Sequence, residues 1–281
     1  MRGEGRQAAA LLAPAYLWLV AAVFLPLSAM GWFSLLSDMP GPGAAPRLTL
    51  ANYQAFFADP TYPTLLWKSL KLAATVTLLC LVAGVPAALA LARAVPGRAR
   101  EALLLLVILP FWSNSLVRVF SWAIVLRGNG VLDRTLDALL PWDIHLSLMF
   151  TWTAVVIGLV HSYLPYVILT AYLALDSIPE EVVEAARSLG AGPATLLARV
   201  LLPLAAPGLA AGAALVFVPV AGSFMEPRIL GGRFGATYGT AIEDQFTAVY
   251  NWPLGAALSF ILLAVTLALL ALARPALRAR P

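Results

Sequence analysis

Six apolar runs, each long enough to cross a hydrocarbon layer, take up most of this 281-residue chain. They fall approximately at 11–36, 65–91, 102–126, 146–173, 204–222 and 254–273. Inside a bilayer every backbone N–H and C=O must find its partner within the protein, so runs of about 20 apolar residues read as helices. Composition agrees: 61% of residues are hydrophobic and 11% charged, with a mean hydropathy of +0.87. A water-soluble fold has too little interior to hide that surface. The expectation is an all-α integral membrane protein, a single transmembrane domain over 1–281, with membrane lipid as its solvent.

Charge placement sets the expected orientation. With six alternating spans, Arg2, Arg6, Arg93, Arg98, Arg100, Arg187, Arg199, Arg274, Arg278 and Arg280 share one side, and Arg47, Arg127, Arg134, Arg228 and Arg233 the other. The positive-inside rule puts the richer side, with both termini, in the cytoplasm. Topology accounts for the net charge of +4 without any nucleic-acid partner. The first run is longer than a secretory h-region and is read as a span that stays in the protein. Cys80 is the single cysteine, which excludes an internal disulfide or a thiolate metal cluster. Pro26, Pro86, Pro110, Pro165 and Pro219 lie inside the runs and predict kinks.

Between the fourth and fifth runs lies a polar stretch, 176–203. Ser177 and Glu180 have the S-x-x-E spacing of a capping box, with Pro179 in the first turn, so a helix is expected from near Ile178. Val182, Ala185, Ala186 and Leu189 recur at helical spacing as an apolar, small-residue face. Gly190 is placed to end that helix, Gly192–Pro193 to start another, and Pro203 to oppose its continuation. A stiff, bent cytoplasmic elbow results.

Glu184-Ala185-Ala186, three residues, Gly190, nine residues, Val200, one residue and Leu202-Pro203 resemble the EAA loop of permease subunits of bacterial ABC importers. Further blocks resemble the spermidine/putrescine permease group: LPFWSNSLVRVFSWAIVLRGNGVLD (109–133), HSYLPYVILTAYLALDSIPEE (161–181), GSFMEPRILGG (222–232) and QFTAVYNWPLGAALS (245–259). The resemblance implies a type I ABC-importer permease fold with cytoplasmic coupling helices, in the bacterial inner membrane. It implies an ABC ATPase dimer that uses ATP and Mg, a second homologous permease subunit and a periplasmic solute-binding protein as partners. Glu184, Ala185, Ala186, Gly190, Leu202 and Pro203 would then form the ATPase-coupling element. The chain itself is expected to be non-catalytic and to bind no cofactor, since no G-x-x-x-x-G-K-[ST] phosphate loop and no nucleophile–base pattern occur. The solute implied is a polyamine, with an opine, thiamine or an amino-acid-like compound as alternatives within the same group. A gradient-driven secondary transporter or channel is the competing class, and would need intramembrane ion-coordinating groups or repeat symmetry.

Polar residues within or beside the spans are candidates for a solute pathway. Arg118 has two readings, a gate or an anchor bonded to helix carbonyls. Glu226, Asp244 and Trp252 offer carboxylates and a ring to an ammonium group, or else pair with nearby arginines and join an aromatic belt. Lys68 and Lys71 are expected to snorkel outward. His161 is expected to hydrogen-bond between helices, and with His145 it makes no metal site. A surface helix is expected from near Asn52, carrying Tyr53, Phe56 and Phe57.

Overall fold

The computed structural model describes residues 2–39, 46–139 and 147–277. His145, Asp143, Arg278, Arg280 and most of the Pro/Gly-rich stretch 39–46 lie outside them. Helices dominate: α1 (Arg2–Ser34), α2 (Ala51–Ala58), α3 (Thr61–Arg93), α4 (Gly97–Ile108), α5 (Ser115–Leu126), α6 (Val131–Leu139), α7 (Trp152–Asp176), α8 (Glu180–Ser188), α9 (Pro193–Leu196), α10 (Leu202–Ala221), α11 (Met225–Gly231), α12 (Tyr238–Thr247) and α13 (Trp252–Leu277). Among the described residues, Leu36 and Leu48 form an isolated antiparallel bridge.

Five of the helical stretches are long and apolar enough to span a bilayer: Leu12–Ser34, Thr61–Arg93, Trp152–Asp176, Pro193–Ala221 and Trp252–Ala273. The third expected span, 102–126, is not a continuous helix. Gly97–Trp112 and Ser115–Leu139 meet at a 95° bend. Pro110 sits in a tight 3-10 turn, Leu109–Trp112, and Ser113 is extended. Asn114 then caps α5, its side chain accepting from Leu116 N at 2.8 Å, as expected of Asn at an N-cap. Pro26, Pro86, Pro165 and Pro219 lie within continuous helices. Of the five prolines, only Pro110 coincides with a break.

The chain divides into two compact units. The smaller comprises the described residues of Met1–Pro63 and Ile242–Ala264. In it, α2 is pinned to the end of α1: Asn52 Nδ2 donates to the Ser34 and Leu36 carbonyls at 3.0 and 2.8 Å, and Tyr53 Oη lies 2.9 Å from Ser34 Oγ. Phe56 is buried and Phe57 exposed, so only one of the three expected surface aromatics lies open. Most apolar side chains of α1 between Leu12 and Leu27 are exposed, as a helix bathed in hydrocarbon allows.

The larger unit holds Thr64–Ala241 and the described part of Val265–Pro281. Its most extensive helix pair is α7 with α10. Their approach depends on missing side chains: a Cβ at Gly212 would collide with Thr170 Oγ1, and one at Gly208 with Ala174. Such small-residue contacts replace hydrophobic drive between helices in lipid, where apolar burial alone gains little. At one end of the pair, Ala88, Ala92, Ala171, Leu175, Val183 and Leu201 belong to a single buried cluster. The cluster packs the ends of α3 and α7 against α8 and the start of the fifth span.

Candidate functional site

The stretch between α7 and α10 folds as an elbow. Helix α8 begins at Glu180, after Pro179, without a side-chain cap, so the expected capping box does not form. Ser177 Oγ instead donates to the Ala174 carbonyl at 2.9 Å, and Glu180 pairs with Arg93. Val183 is buried while Val182, Ala185 and Leu189 are open, Leu189 at 90% exposure. Three of the four residues of the expected apolar face thus look away from the protein, and the fully buried contact is made by Val183, which the face omitted. Ala186 is half-buried against the cluster. Glu184 is exposed.

Gly190 ends α8 with φ +86. Its N–H donates to the Arg187 carbonyl at 2.9 Å and Ala191 N–H to the Ala186 carbonyl at 3.0 Å, the paired bonds of a Schellman turn. Open space surrounds Gly190; the requirement for glycine is conformational, since an L side chain at positive φ is strained. Gly192 then caps α9 with Pro193 in its first turn. Pro203 does not interrupt the fifth span. The residues Leu197–Leu201 form a π turn in which Leu202 N donates to the Leu197 carbonyl. This five-residue spacing places the proline ring in a continuous helical stretch from Pro193 to Ala221. Leu202 is half-buried and Pro203 exposed.

A second feature of the larger unit is a groove between α7 and α10, about 750 Å³, lined by Tyr163, Tyr166, Ala211, Leu215, Val218 and Pro219 among others. Tyr163 and Pro219 also border a cavity of about 230 Å³ with Ser115, Ser223 and Glu226. Glu226 is buried and accepts from Ser223 Oγ at 2.9 Å. The rings of Tyr163 and Tyr166 stack at 5.9 Å, and Phe111 meets Tyr166 edge-on at 4.5 Å. A buried carboxylate ringed by hydroxyls and aromatic faces suits an organic cation.

The other candidate residues take different places. Arg118 Nη1 donates to the Pro110 carbonyl at 2.9 Å, the anchor geometry. Asp244 and Trp252 belong to the smaller unit, where the Trp252 ring meets Phe33 and Phe246 edge-on at 6.5 and 5.9 Å. Lys68 does not snorkel freely: its Nζ donates to the Phe234 carbonyl at 2.9 Å and lies 5.0 Å from the Trp152 ring centre. Lys71 rests over Trp67. His161, expected to hydrogen-bond between helices, packs edge-on against the Trp122 ring at 5.3 Å and makes no side-chain hydrogen bond among the described residues. Sequence reasoning missed Tyr163, Tyr166 and Ser223 as cavity-lining groups. Pro110 followed by Ser113-Asn114 ahead of an apolar run was the signal for the break that brings Ser115 to them.

Residues 84–278 match the family model described as "Binding-protein-dependent transport system inner membrane component". The chain is 39% identical over 245 residues, 87% of its length and 85% of the relative's, to the spermidine/putrescine transport system permease protein PotB of Salmonella typhimurium (strain SL1344). It is 38% identical over 245 residues, 87% of this chain and 88% of the relative, to PotB of Escherichia coli (strain K12). Its fold is similar to that in the crystal structure of a bacterial alginate ABC transporter in complex with alginate pentasaccharide-bound periplasmic protein, with a TM-score of 0.78, 14% identity, and coverage of 99% of this chain and 98% of that one.

Proposed function

The chain belongs to the binding-protein-dependent transport system inner membrane components, and on that premise we propose that it is the permease subunit that carries a polyamine, spermidine or putrescine, through an ATP-driven importer. The observation that carries this reading is the likeness over most of both chains to permeases named for those solutes. The protein is a multi-pass inner-membrane permease of the ABC importer type, a transport component and not an enzyme. We assign it a homologous permease partner, an ATPase dimer that consumes ATP and Mg, a periplasmic solute-binding protein, and both termini in the cytoplasm.

Two features of the geometry support the assignment. The open face of α8, with Val182, Ala185 and Leu189 beside Glu184, presents small apolar groups and one carboxylate to a docking subunit. That face, the Gly190 turn and Leu202-Pro203 form the coupling element. Glu226, with Tyr163 and Ser223 around the same cavity, offers a protonated amine charge and ring faces along the route, whereas Arg118 holds the backbone beside it. Asp244 and Trp252 remain candidate pathway residues on the smaller unit. ATP-driven closure of the ATPases would displace the elbow and shift the helices between inward- and outward-open states, each state binding ATPases and binding protein with different affinity.

The test is uptake of labelled spermidine and putrescine into proteoliposomes holding the complete complex and its binding protein. ATP-dependent uptake is expected. Neutralising Glu226 as Glu226→Gln is expected to raise the half-saturating concentration about tenfold or more, the worth of a hydrogen bond to a charged group. Transport of a different solute, or uptake that survives removal of ATP while an ion gradient persists, would sink the reading.

A further inference from the structure

We propose that Arg93 is a positioning residue for energy coupling, the side chain through which displacement of the elbow reaches the second and fourth spans. It is the last residue of α3. One nitrogen, Nη1, pairs with Glu180, the first residue of α8. The other, Nη2, donates to the Leu175 and Ile178 carbonyls, both at 3.0 Å, where α7 ends and the elbow begins. A planar fork is the group that can hold a carboxylate and two carbonyls at once; a lysine ammonium has no such geometry. Arg93 thus ties the end of α3 to the turn between α7 and α8, from which it is separated along the chain by the third and fourth spans.

Arg100 completes the node from the third span. Its Nη1 lies 3.3 Å from Asp176 Oδ1, its Nε donates to the Val95 carbonyl at 3.0 Å, and its Nη2 to the Ala92 carbonyl at 3.3 Å. Asp176 is the last residue of α7. Two acidic groups flanking one turn are therefore held by two arginines from the preceding helices. A simple cap of α7 would account for the bonds to the Leu175 and Ile178 carbonyls. It would not account for the ion pair to the first residue of α8.

The proposal rests on the elbow docking to an ATPase. Its test compares uptake per ATP hydrolysed in proteoliposomes of the full complex for the wild type, Arg93→Ala, Arg93→Lys and Glu180→Gln. Arg93→Ala is expected to retain the ATPase on purification and to hydrolyse ATP, with uptake per ATP reduced about tenfold, within the range of couplings between linked sites. Arg93→Lys, which keeps only the charge, is expected to fall between. Glu180→Gln, which leaves the carbonyl bonds in place, is expected to lower coupling without loss of assembly, and it decides the matter should Arg93→Ala fail to assemble. Coupling in Glu180→Gln and Arg93→Ala equal to the wild type overturns the proposal alone. A wild-type complex that retains no ATPase overturns the permease reading, and the proposal with it.

Discussion

The Arg118 guanidinium reaches back eight residues to the Pro110 carbonyl at 2.9 Å, tying together the two arms of the bent third span. The Ser113 N–H and Oγ donate to the same carbonyl at 3.3 and 2.8 Å, so the guanidinium reinforces a turn that the local chain already forms at this 95° bend. The bond is charge-assisted and half-buried, and such bonds contribute about 1.5–3 kcal/mol. Arg118→Ala is expected to lower the midpoint of thermal unfolding in detergent, with Arg118→Lys less affected. An unchanged midpoint in both variants would show that the bend holds without the tie.

Gly190 at φ +86 predicts a sharp residue preference. Alanine there costs about 1–2 kcal/mol in the left-handed region, and asparagine, which tolerates that region, less. Uptake is expected to fall in Gly190→Ala and to be largely retained in Gly190→Asn, with membrane levels of both as in the wild type by immunoblot. Equal uptake by the alanine variant would remove the turn from the coupling element.

The contact of Gly212 with Thr170 predicts a compensating pair. The added methyl of Gly212→Ala meets Thr170 Oγ1, an overpacking cost of about 1–3 kcal/mol. Thr170→Ala removes the oxygen in the way. The double variant is therefore expected to be more stable than Gly212→Ala, measured as a double-mutant cycle of unfolding midpoints. Strict additivity would mean that the two helices part instead of repacking.

One carboxylate outside the spans carries a pH signature. The Thr61 side-chain hydrogen bond, then its backbone N–H at 2.9 Å, holds the Asp59 carboxyl below the ordinary aspartate value. A depressed folded value means that its contribution is complete above the unfolded value of about 4 and is lost as pH falls through the folded one. Fraying of the first turn of α3 is expected only on acidification below about pH 4, read by amide hydrogen exchange at Thr61. In Asp59→Asn that exchange is expected to show no such acid step.

Much of this architecture was legible because lipid leaves the backbone few options. Length and hydropathy mark five of the spans, since each is one uninterrupted apolar helix. The third escaped because apolar content does not register direction: 102–126 reads as one run, whereas the turn at Leu109–Trp112 and the Asn114 cap are written in three polar or ring-constrained residues. At the elbow, Gly190 and Gly192-Pro193 were readable since each is a backbone requirement. Ser177 was misleading. Its spacing to Glu180 fits a cap, but α8 starts at Glu180 itself with Pro179 in the cap position, and the glutamate pairs with Arg93, distant in sequence. The cavity around Glu226 was half visible: the carboxylate stands out and Ser223 lies only three residues before it, while Tyr163 becomes a neighbour only once α7 packs beside them.

The π turn just before Pro203 has a mechanical consequence. By letting the helix pass the proline, it makes Pro193–Ala221 one member of 29 residues, about 43 Å long at 1.5 Å per residue. Torque applied at its Pro193 end meets no break in the helix before Ala221. A swing of about 5° about that end carries Ala221 through about 4 Å at that length, so a small rotation at the elbow emerges enlarged at the opposite end of the span.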